Sequence, residues 1–268
     1  MKSLSGRVIA ITGGARGIGE ATARALAAAG ARVAVGDLDA DLAAQSAATY
    51  SGLGLALDVT SRESFGAFLD RVQAEHGALD GLVNNAGIMV IGRMLETDLD
   101  RQLGQIDINL RGVVFGCHAA ARRMGRGGQI VNVASLAGRI PTPGTAVYSA
   151  TKAGVLALSE SLDGELAPRG IRVAAVLPSF TSTSLIDGTS ATGLIKPIQP
   201  EQVADRIVAV FRRHRAQAVV PRRLTFSVGQ WGATPSRAKP WLRRRFGLDD
   251  VFTSYDVQAR AEYDERIG

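Results

Sequence analysis

The chain has 268 residues, of which 46% are hydrophobic and 21% charged, proportions typical of a globular protein and unlike those of a disordered chain. This length suits one α/β domain with a modest extension better than two full domains. No stretch approaches the roughly 18 unbroken apolar residues of a membrane span. The first residues lead directly into an apolar strand without a signal-peptide pattern, and Cys117 is the one cysteine, so we expect a protein of the reducing cytoplasm without disulfides.

The formal net charge of +6 is concentrated in one part of the chain. Residues 206–248 contain eleven Lys or Arg and no Asp or Glu, whereas the other residues contain 20 basic and 25 acidic side chains. The same stretch holds Trp231 and Trp241. The simplest interpretation is that these cations pair with carboxylates elsewhere in the chain or in an oligomer. Peripheral contact with an anionic membrane is the alternative, because basic and tryptophan side chains favour that interface. A nucleic-acid partner is not expected.

Short apolar runs alternate with longer, alanine-rich segments along the first 220 residues. The predicted strands are Arg7–Thr12, Arg32–Gly36, Leu53–Leu57, Leu79–Asn84, Gln129–Ala134, Arg172–Leu177 and Ala218–Val220. The predicted helices are Gly17–Ala29, Leu38–Tyr50, Ser61–His76, Asp98–Met124, Val147–Ala167 and Pro200–His214. Because most strands lack polar alternation, both of their faces should be covered. This pattern predicts an α/β fold with one doubly wound parallel sheet over residues 1–220, followed by a basic, tryptophan-containing C-terminal extension over residues 221–268.

A glycine-rich turn joins the first predicted strand to the first helix. Its sequence runs from Thr12 through Gly13, Gly17 and Ile18 to Gly19. Glycines allow the backbone to turn sharply and to approach a pyrophosphate, and the helix N-terminus offers free N–H groups to it. A tight turn without a ligand is the alternative, but the position directly after an apolar strand favours a dinucleotide.

Asp37, at the end of the second predicted strand, lies 18 residues after Gly19. A carboxylate at this position accepts hydrogen bonds from the adenosine ribose, and it repels the 2′-phosphate of NADP. Arg16 favours NADP instead, since a guanidinium is able to bind that phosphate. Asp37 carries the greater weight, because Arg16 is free to turn towards solvent, and we expect NAD as the cofactor.

Tyr148 and Lys152 are four residues apart near the start of a predicted helix, so their side chains share one face. Lowering the phenol pKa from about 10 to about 7 takes roughly 4 kcal/mol, which a cation about 4 Å away supplies at an effective dielectric constant of about 20. Ser135 follows the preceding predicted strand, at the edge where open α/β sheets bind ligands. An isolated Tyr-x-x-x-Lys is common on solvated helices, so the prediction of a reaction centre depends on its conjunction with the glycine turn.

These motifs together resemble the short-chain dehydrogenase/reductase family. The resemblance rests on the glycine turn, on Asn84-Asn85-Ala86-Gly87, on Asn109 and Ser135, and on Tyr148-x-x-x-Lys152, in that order. It covers about residues 5–220. It implies a single Rossmann-type domain whose parallel sheet has seven strands, with helices on both faces. It also implies self-association into a dimer or tetramer.

The resemblance assigns a role to each motif residue. Tyr148 would be the general acid/base, Lys152 would lower its pKa and bind the nicotinamide ribose, and Ser135 would orient the substrate oxygen. Asn109 would support a water-linked proton relay. The predicted cofactor contacts are Gly13, Arg16, Gly17, Ile18, Gly19, Asp37, Leu38, Asp58, Val59, Asn85, Ala86, Gly87, Tyr148, Lys152, Pro178, Thr181 and Thr183. The chain departs from the family at Ser179, where the pair Pro-Gly is usual, so the backbone of that loop need not follow the family.

The resulting prediction is an NAD(H)-dependent oxidoreductase that interconverts an apolar secondary alcohol and its ketone. The apolar substrate is inferred from Ile88, Met89 and Val90 and from residues 185–195, which match the family's mobile substrate loop. No metal is expected, because the three histidines show no ligand spacing. The alternatives are a catalytically silent NAD(H)-sensing or scaffold protein on the same fold, and a membrane-peripheral, NADP-dependent carbonyl reductase.

Overall fold

Seven apolar segments form one parallel sheet in the computed structural model, which describes residues 3–189 and 196–267. The strands are β1 (Val8–Thr12), β2 (Arg32–Asp37), β3 (Leu53–Ala56), β4 (Leu79–Asn84), β5 (Gln129–Val133), β6 (Arg172–Pro178) and β7 (Gln217–Val220). Their spatial order is β3-β2-β1-β4-β5-β6-β7, and every neighbouring pair is parallel. The expected seven-stranded, doubly wound sheet is therefore confirmed.

The helices between the strands cover both faces of the sheet. They are α1 (Gly17–Ala28), α2 (Ala40–Ala48), α3 (Arg62–His76), α4 (Leu99–Ile106), α5 (Gly112–Arg123), α6 (Ala146–Leu166) and α7 (Pro200–Arg212). On one face, Phe65 of α3, Val113 of α5 and Val155 of α6 belong to one buried apolar cluster. On the other face, Leu26 of α1 and Phe211 of α7 belong to a second. Burial on both faces accounts for strands that have no polar side.

The helix predicted over Asp98–Met124 is interrupted by a π turn. Helices α4 and α5 are joined by this turn at Asp107–Arg111. The side chain of Asn109, inside the turn, accepts a hydrogen bond from the Ile88 N–H and donates one to the Ile88 carbonyl, both at 2.8 Å. The wider turn lets this buried amide reach a neighbouring loop, and π turns within α-helices frequently occur at functional sites.

The extension after β7 is helical, and its last helix packs against the body of the protein. It contains α8 (Thr225–Ala233), α9 (Lys239–Arg245) and α10 (Val257–Ile267). The side chain of Arg260 in α10 is fully buried and donates hydrogen bonds to the carbonyls of Leu185 (2.9 Å) and Asp187 (3.2 Å). It also donates to the Met89 carbonyl and forms an ion pair with Asp264 at 3.2 Å. One buried cation therefore joins α10 to the loops that follow β4 and β6.

Replacing Arg260 with methionine is expected to lower the free energy of unfolding by about 3 kcal/mol, because it leaves Asp264 and three backbone carbonyls without their buried cation. Equilibrium unfolding in urea measures the change. Gln258→Met replaces an exposed polar side chain of the same helix and is the control, expected to change stability by less than about 0.5 kcal/mol. Equal effects of the two substitutions would contradict the role assigned to Arg260.

Candidate active site

A cavity of about 880 Å³ opens at the carboxyl edge of the sheet. Residues that follow β1, β2, β4, β5 and β6 line it. Strand β1 pairs with both β2 and β4. The chain therefore adds β2 and β3 on one side of β1 and then crosses back to add β4 on the other side. This reversal separates the two neighbouring loops and produces the crevice in which open α/β sheets bind ligands.

The glycine turn after β1 has the geometry of a phosphate-binding turn. Gly13 and Gly17 have φ values of +63° and +57°, which glycine adopts without steric cost. A side chain at Gly13 would come within 2.8 Å of the Ala86 Cα, and one at Gly19 would strike the Gly13 carbonyl. Helix α1 begins at Gly17, and its N-cap residue, Arg16, makes no side-chain capping bond. The turn therefore fits a pyrophosphate, which would accept hydrogen bonds from these backbone N–H groups.

Asn85 fixes the glycine turn to the loop that follows β4. Its Nδ2 donates hydrogen bonds to the carbonyls of Thr12 (3.0 Å) and Gly13 (2.8 Å). In return, the Thr12 hydroxyl accepts hydrogen bonds from the N–H groups of Asn85 and Ala86, both at 3.0 Å. The two loops that border the crevice are therefore held at a fixed separation.

Carboxylates lie at the end of the cavity next to β2. Asp37 Oδ2 accepts a hydrogen bond from the Ala15 N–H at 3.1 Å, which holds this carboxylate beside the glycine turn. Arg16 is paired with Asp39 at 3.4 Å, and both side chains are about half exposed. Asp58 lines the same cavity. Arg16, the residue that would favour NADP, thus already has an acidic partner.

Tyr148, Lys152 and Ser135 come together at the carboxyl end of β5. Tyr148 and Lys152 are 7% and 4% exposed, and Lys152 Nζ lies 5.7 Å from the centroid of the Tyr148 ring. The same Nζ donates a hydrogen bond to the Val133 carbonyl at 3.0 Å. Ser135 hydrogen-bonds to the Tyr148 phenol. The fold therefore brings together the three side chains that the sequence predicts to form the reaction centre.

Burial shifts the pKa values of both titratable groups in the direction that favours the neutral form of each group. It raises the pKa of Tyr148 to about 12; the hydrogen bond with Ser135 opposes this rise, and the nearby phenol of Tyr263 adds to it. Burial lowers the pKa of Lys152 to about 8. The direction for Tyr148 is the opposite of the lowering expected from Lys152, because desolvation is the largest cause of the shift and the ammonium group is hydrogen-bonded to Val133 instead.

Asn109 lies behind the cavity wall rather than in it. Its side chain is fully buried, and besides its two bonds to Ile88 it makes a long hydrogen bond to the Thr151 hydroxyl at 3.4 Å. A side chain at Gly87 would lie 3.1 Å from Asn109 Oδ1 and 3.4 Å from Lys152 Nζ, so these polar groups flank the glycine. Asn109 therefore positions the loop after β4, and its part in a proton relay stays a prediction.

The other predicted cofactor contacts lie at the cavity, with one exception. Those in its wall are Gly13, Arg16, Gly17, Ile18, Asp37, Leu38, Asp58, Val59, Asn85, Ala86, Gly87, Pro178, Thr181 and Thr183, besides Tyr148 and Lys152. Gly19 is buried beneath the turn instead, where the lack of a side chain lets α1 approach the Gly13 carbonyl. Ser179 lines the cavity without a positive φ. Its buried hydroxyl has no hydrogen-bond partner among the described residues, which fits a site completed by a polar ligand.

The C-terminal extension supplies one wall of the cavity, which the sequence patterns did not predict. The contributing side chains are Leu248, Phe252, Tyr263, Arg266 and Ile267. Phe252 stacks on Phe180 with the ring centroids 5.5 Å apart, and the Tyr263 hydroxyl accepts a hydrogen bond from the Met89 N–H at 2.8 Å. The apolar pair Val251-Phe252 in a charged segment is the one sequence signal of this packing.

Metal clusters and membrane spans are absent from the described parts of the chain. Across residues 3–189 and 196–267, no group of three or more His, Cys, Asp or Glu side chains is placed to hold a metal ion. Over the same ranges, no helix combines the length and the apolar character needed to cross a membrane.

A Rossmann-type sheet whose crevice combines a glycine turn with a buried Tyr and Lys and a half-buried Ser defines an oxidoreductase that uses a dinucleotide. A family comparison specifies this class further. Residues 7–192 match the family model described as short chain dehydrogenase. The chain therefore belongs to the short-chain dehydrogenase family, whose members use nicotinamide cofactors.

Individual relatives agree with this family. The chain is 41% identical to the cis-4-hydroxycyclohexanecarboxylate dehydrogenase of Sinomonas cyclohexanicum, over 75% of its own length and 87% of the relative's. It is 35% identical to the probable oxidoreductase EphD of Mycobacterium tuberculosis over 74% of its own length but 34% of EphD, so it spans about a third of that protein. A crystal structure of a short chain dehydrogenase from Burkholderia cenocepacia in complex with NADP matches with a TM-score of 0.75 at 32% identity, covering 81% of this chain and 97% of that one.

The lowered pKa of Lys152 predicts a pH-dependent cost to stability. Below about pH 8 the folded protein must bury the ammonium group, at a cost of about 3 kcal/mol. As the pH rises from about 8 to about 10, the folded state releases this proton while the unfolded state still holds it, so stability rises. We therefore expect the unfolding free energy of the wild type, relative to Lys152→Met, to increase by about 2 kcal/mol between pH 7 and pH 10 in urea titrations.

Lys196→Met is the control for this measurement, because it removes a lysine that is exposed to solvent. Its stability relative to the wild type should stay constant over the same pH range. A constant difference for Lys152→Met as well would show that the ammonium group is not desolvated in the folded protein.

Proposed function

We propose that the protein is a cytoplasmic, NAD(H)-dependent oxidoreductase that interconverts an apolar secondary alcohol and its ketone. The observation that carries this proposal is the position of Tyr148, Lys152 and Ser135 in the same cavity as the glycine turn. The turn fits the phosphates of a dinucleotide, and the three side chains lie where its reactive end would meet a substrate. A bound nicotinamide ring supplies the acceptor or donor of the hydride.

The side chains of this chain then move and hold one proton. In the oxidation direction, Tyr148 Oη takes the hydroxyl proton of the alcohol as the carbon gives up its hydride; in reduction, Tyr148 donates that proton to the ketone oxygen. The Ser135 hydroxyl orients the substrate oxygen towards the phenol. Lys152 and its hydrogen bond to Val133 keep a cation next to the phenol, which favours the phenolate at the moment of transfer. Asn109 would pass the proton on through water.

The walls of the cavity near Tyr148 support an apolar substrate. They include Met89, Ile140, Phe180 and Phe252. Of the predicted substrate loop, Leu185 and Ile186 line the cavity, and residues 190–195, with Gly193, lie outside the described residues. The likeness to a cis-4-hydroxycyclohexanecarboxylate dehydrogenase supports a ring that carries a secondary alcohol.

Self-association is part of the same proposal. Leu99, Leu103 and Ile106 are 59%, 47% and 38% exposed and lie on one side of α4, since they are spaced by four and three residues. Val114 of α5 is 40% exposed. Such apolar side chains at the surface support a dimer or tetramer in which these helices pack against a second copy.

Turnover of a panel of cyclic and acyclic apolar secondary alcohols and ketones tests the reaction. We expect NADH formation or consumption with members of the panel, and a fall in kcat/KM of about 10²-fold to 10⁴-fold in Tyr148→Phe. NADH affinity, followed by fluorescence, should change by less than about tenfold in this variant, since it loses one hydrogen-bonding hydroxyl. Tyr50→Phe removes a hydroxyl outside the cavity and should retain full activity.

Two outcomes would contradict the proposed reaction. Equal turnover by Tyr148→Phe and the wild type would remove Tyr148 from the chemistry. Tight NADH binding without turnover of any panel member would favour the NAD(H)-sensing or scaffold protein instead.

The preference for NAD over NADP follows from the acidic groups at the adenosine end of the cavity. The Asp37 carboxylate is held in place by the Ala15 N–H, so it is able to accept hydrogen bonds from ribose hydroxyls and it repels an added phosphate. Arg16 is paired with Asp39 and would have to leave this partner to bind the 2′-phosphate. The NADP complex of the Burkholderia cenocepacia relative makes NADP the competing outcome.

Asp37→Ala is expected to reverse the cofactor preference. NADH affinity should fall by about tenfold or more, because hydrogen bonds to a charged group are lost, while NADPH affinity should rise because its 2′-phosphate no longer meets an anion. Fluorescence titration with each cofactor measures both constants. Asp41→Ala, an exposed acid in α2 that does not line the cavity, is the control and should change neither. Tighter binding of NADPH than NADH by the wild type would show that Arg16 dominates.

A further inference from the structure

Helix α9 and the turn before it present an aromatic and basic surface to solvent. Trp241 is 65% exposed. Arg244 and Arg245 lie three and four residues after it within α9, so their side chains share its face of the helix, and Arg237 lies in the 3-10 turn directly before α9. All three arginines are exposed. We call these four residues the tail surface.

Further aromatic side chains are exposed close to the tail surface in the sequence. Phe246, directly after α9, is 45% exposed, and Phe226 of α8 is 73% exposed. Trp231, in contrast, is buried, with the Lys239 ammonium 5.7 Å from its ring centroid. Tryptophan rings and basic side chains are both enriched at the boundary between a membrane and water, so this composition is consistent with contact with a bilayer.

The cations of this region are poorly neutralised within the protein. Asp249 pairs with Arg243 at 3.1 Å and with Arg244 at 3.6 Å. Among the described residues, no carboxylate lies within 4.0 Å of Arg237 or Arg245. Pairing with carboxylates of the same chain, the simplest expectation from the sequence, therefore accounts for only part of the charge. The excess favours a partner that is itself anionic.

Mutual repulsion between arginines occurs at the start of the same basic stretch. The pKa of Arg206 is lowered, first by partial burial and then by the neighbouring cations Arg222 and Arg215. A region in which cations face each other gains free energy when an anionic surface approaches it.

The chain connects the tail surface directly to the substrate side of the cavity. Leu248 follows Arg245 by three residues and lines the cavity, as does Phe252. Tyr263 and Ile267 of α10 complete this wall. The tail surface and this wall of the cavity therefore belong to one continuous C-terminal segment.

We propose that the tail surface docks the protein on an anionic lipid bilayer, with Trp241 at the level of the headgroups and the arginines against lipid phosphates. The charge of the surface complements that of the bilayer, and the aromatic ring suits the boundary between water and acyl chains. Docking brings the apolar wall of the cavity close to the lipid, so that apolar substrates enter it from the bilayer. This last step rests on the proposed function, whereas docking itself does not.

Vesicle binding tests docking without any need for turnover. The wild type is mixed at low salt with vesicles of phosphatidylcholine, either alone or with about 30% phosphatidylglycerol, and then sedimented. We expect co-sedimentation with the anionic vesicles only, and release in about 1 M NaCl, where the Debye length falls to about 3 Å. Tryptophan emission should shift to shorter wavelength on binding. The shift should vanish in Trp241→Phe, because the remaining tryptophan, Trp231, is already buried.

Matched charge variants distinguish vesicle binding through the tail surface from a general effect of the protein's net charge. Arg244→Ala combined with Arg245→Ala is expected to weaken vesicle binding about 25-fold, at about fivefold for each cation. Arg62→Ala combined with Arg71→Ala removes two exposed cations from α3 and should weaken it far less. Both double variants should retain turnover of water-soluble alcohols, which keeps a failure of docking separate from a failure of the proposed reaction.

Four outcomes would overturn the proposal. The first is no sedimentation with anionic vesicles at low salt, and the second is equal weakening by the two double variants. The third is a tryptophan shift that follows protein concentration without vesicles, which would assign the tail surface to self-association. The fourth is tighter binding to duplex DNA than to vesicles at equal salt, which would assign the tail surface to nucleic acid.

Discussion

The pairing of β1 with β2 on one side and with β4 on the other is the constraint on which the site depends. Because the chain passes from β1 to β2 on one side and crosses back from β3 to β4 on the other, the loops after β1 and β4 separate and leave a crevice between them. The hydroxyl of Thr12 and the amide of Asn85 then hold these loops together by reciprocal hydrogen bonds of 3.0 Å. The position of the crevice on the cofactor side is therefore determined by the sheet topology. The side chains of Thr12 and Asn85 add rigidity to the two loops that border it.

Desolvation is the second constraint, and it acts on the reacting groups themselves. The walls that make the cavity apolar also raise the pKa of Tyr148 and lower the pKa of Lys152. Both pKa values are shifted in the direction that favours the neutral group, so a protonated phenol is favoured in this structure. The Val133 carbonyl meanwhile holds the ammonium group at the end of β5.

The sequence predicted the parts of the site whose geometry is local. The glycine turn directly follows a strand, and Tyr148 and Lys152 are about one helical turn apart, so spacing alone determines their relation. The π turn and the C-terminal wall depend on distant segments instead. At the π turn, the Asn109 side chain donates a hydrogen bond to the Ile88 carbonyl in the loop after β4. Arg260 donates one to the Met89 carbonyl, and these two residues are 171 positions apart in the sequence. No pattern of propensity or spacing contains such contacts, because they arise only when the packed fold brings the segments together.

The match to the family model ends at residue 192, whereas α10 lies entirely beyond it. The glycine turn, Tyr148 and Lys152 belong to the matched part, so the chemistry and one wall of the cavity have separate origins in the chain. Leu248 connects this wall to the basic helix α9, and Arg260 fixes α10 to the loops that follow β4 and β6. A change in the extension therefore alters the cavity wall, and because Val251 and Phe252 pack in one buried cluster with Tyr148, it also alters the surroundings of the phenol. The motifs of the reaction centre and the shape of the cavity around it are therefore encoded in different parts of the chain.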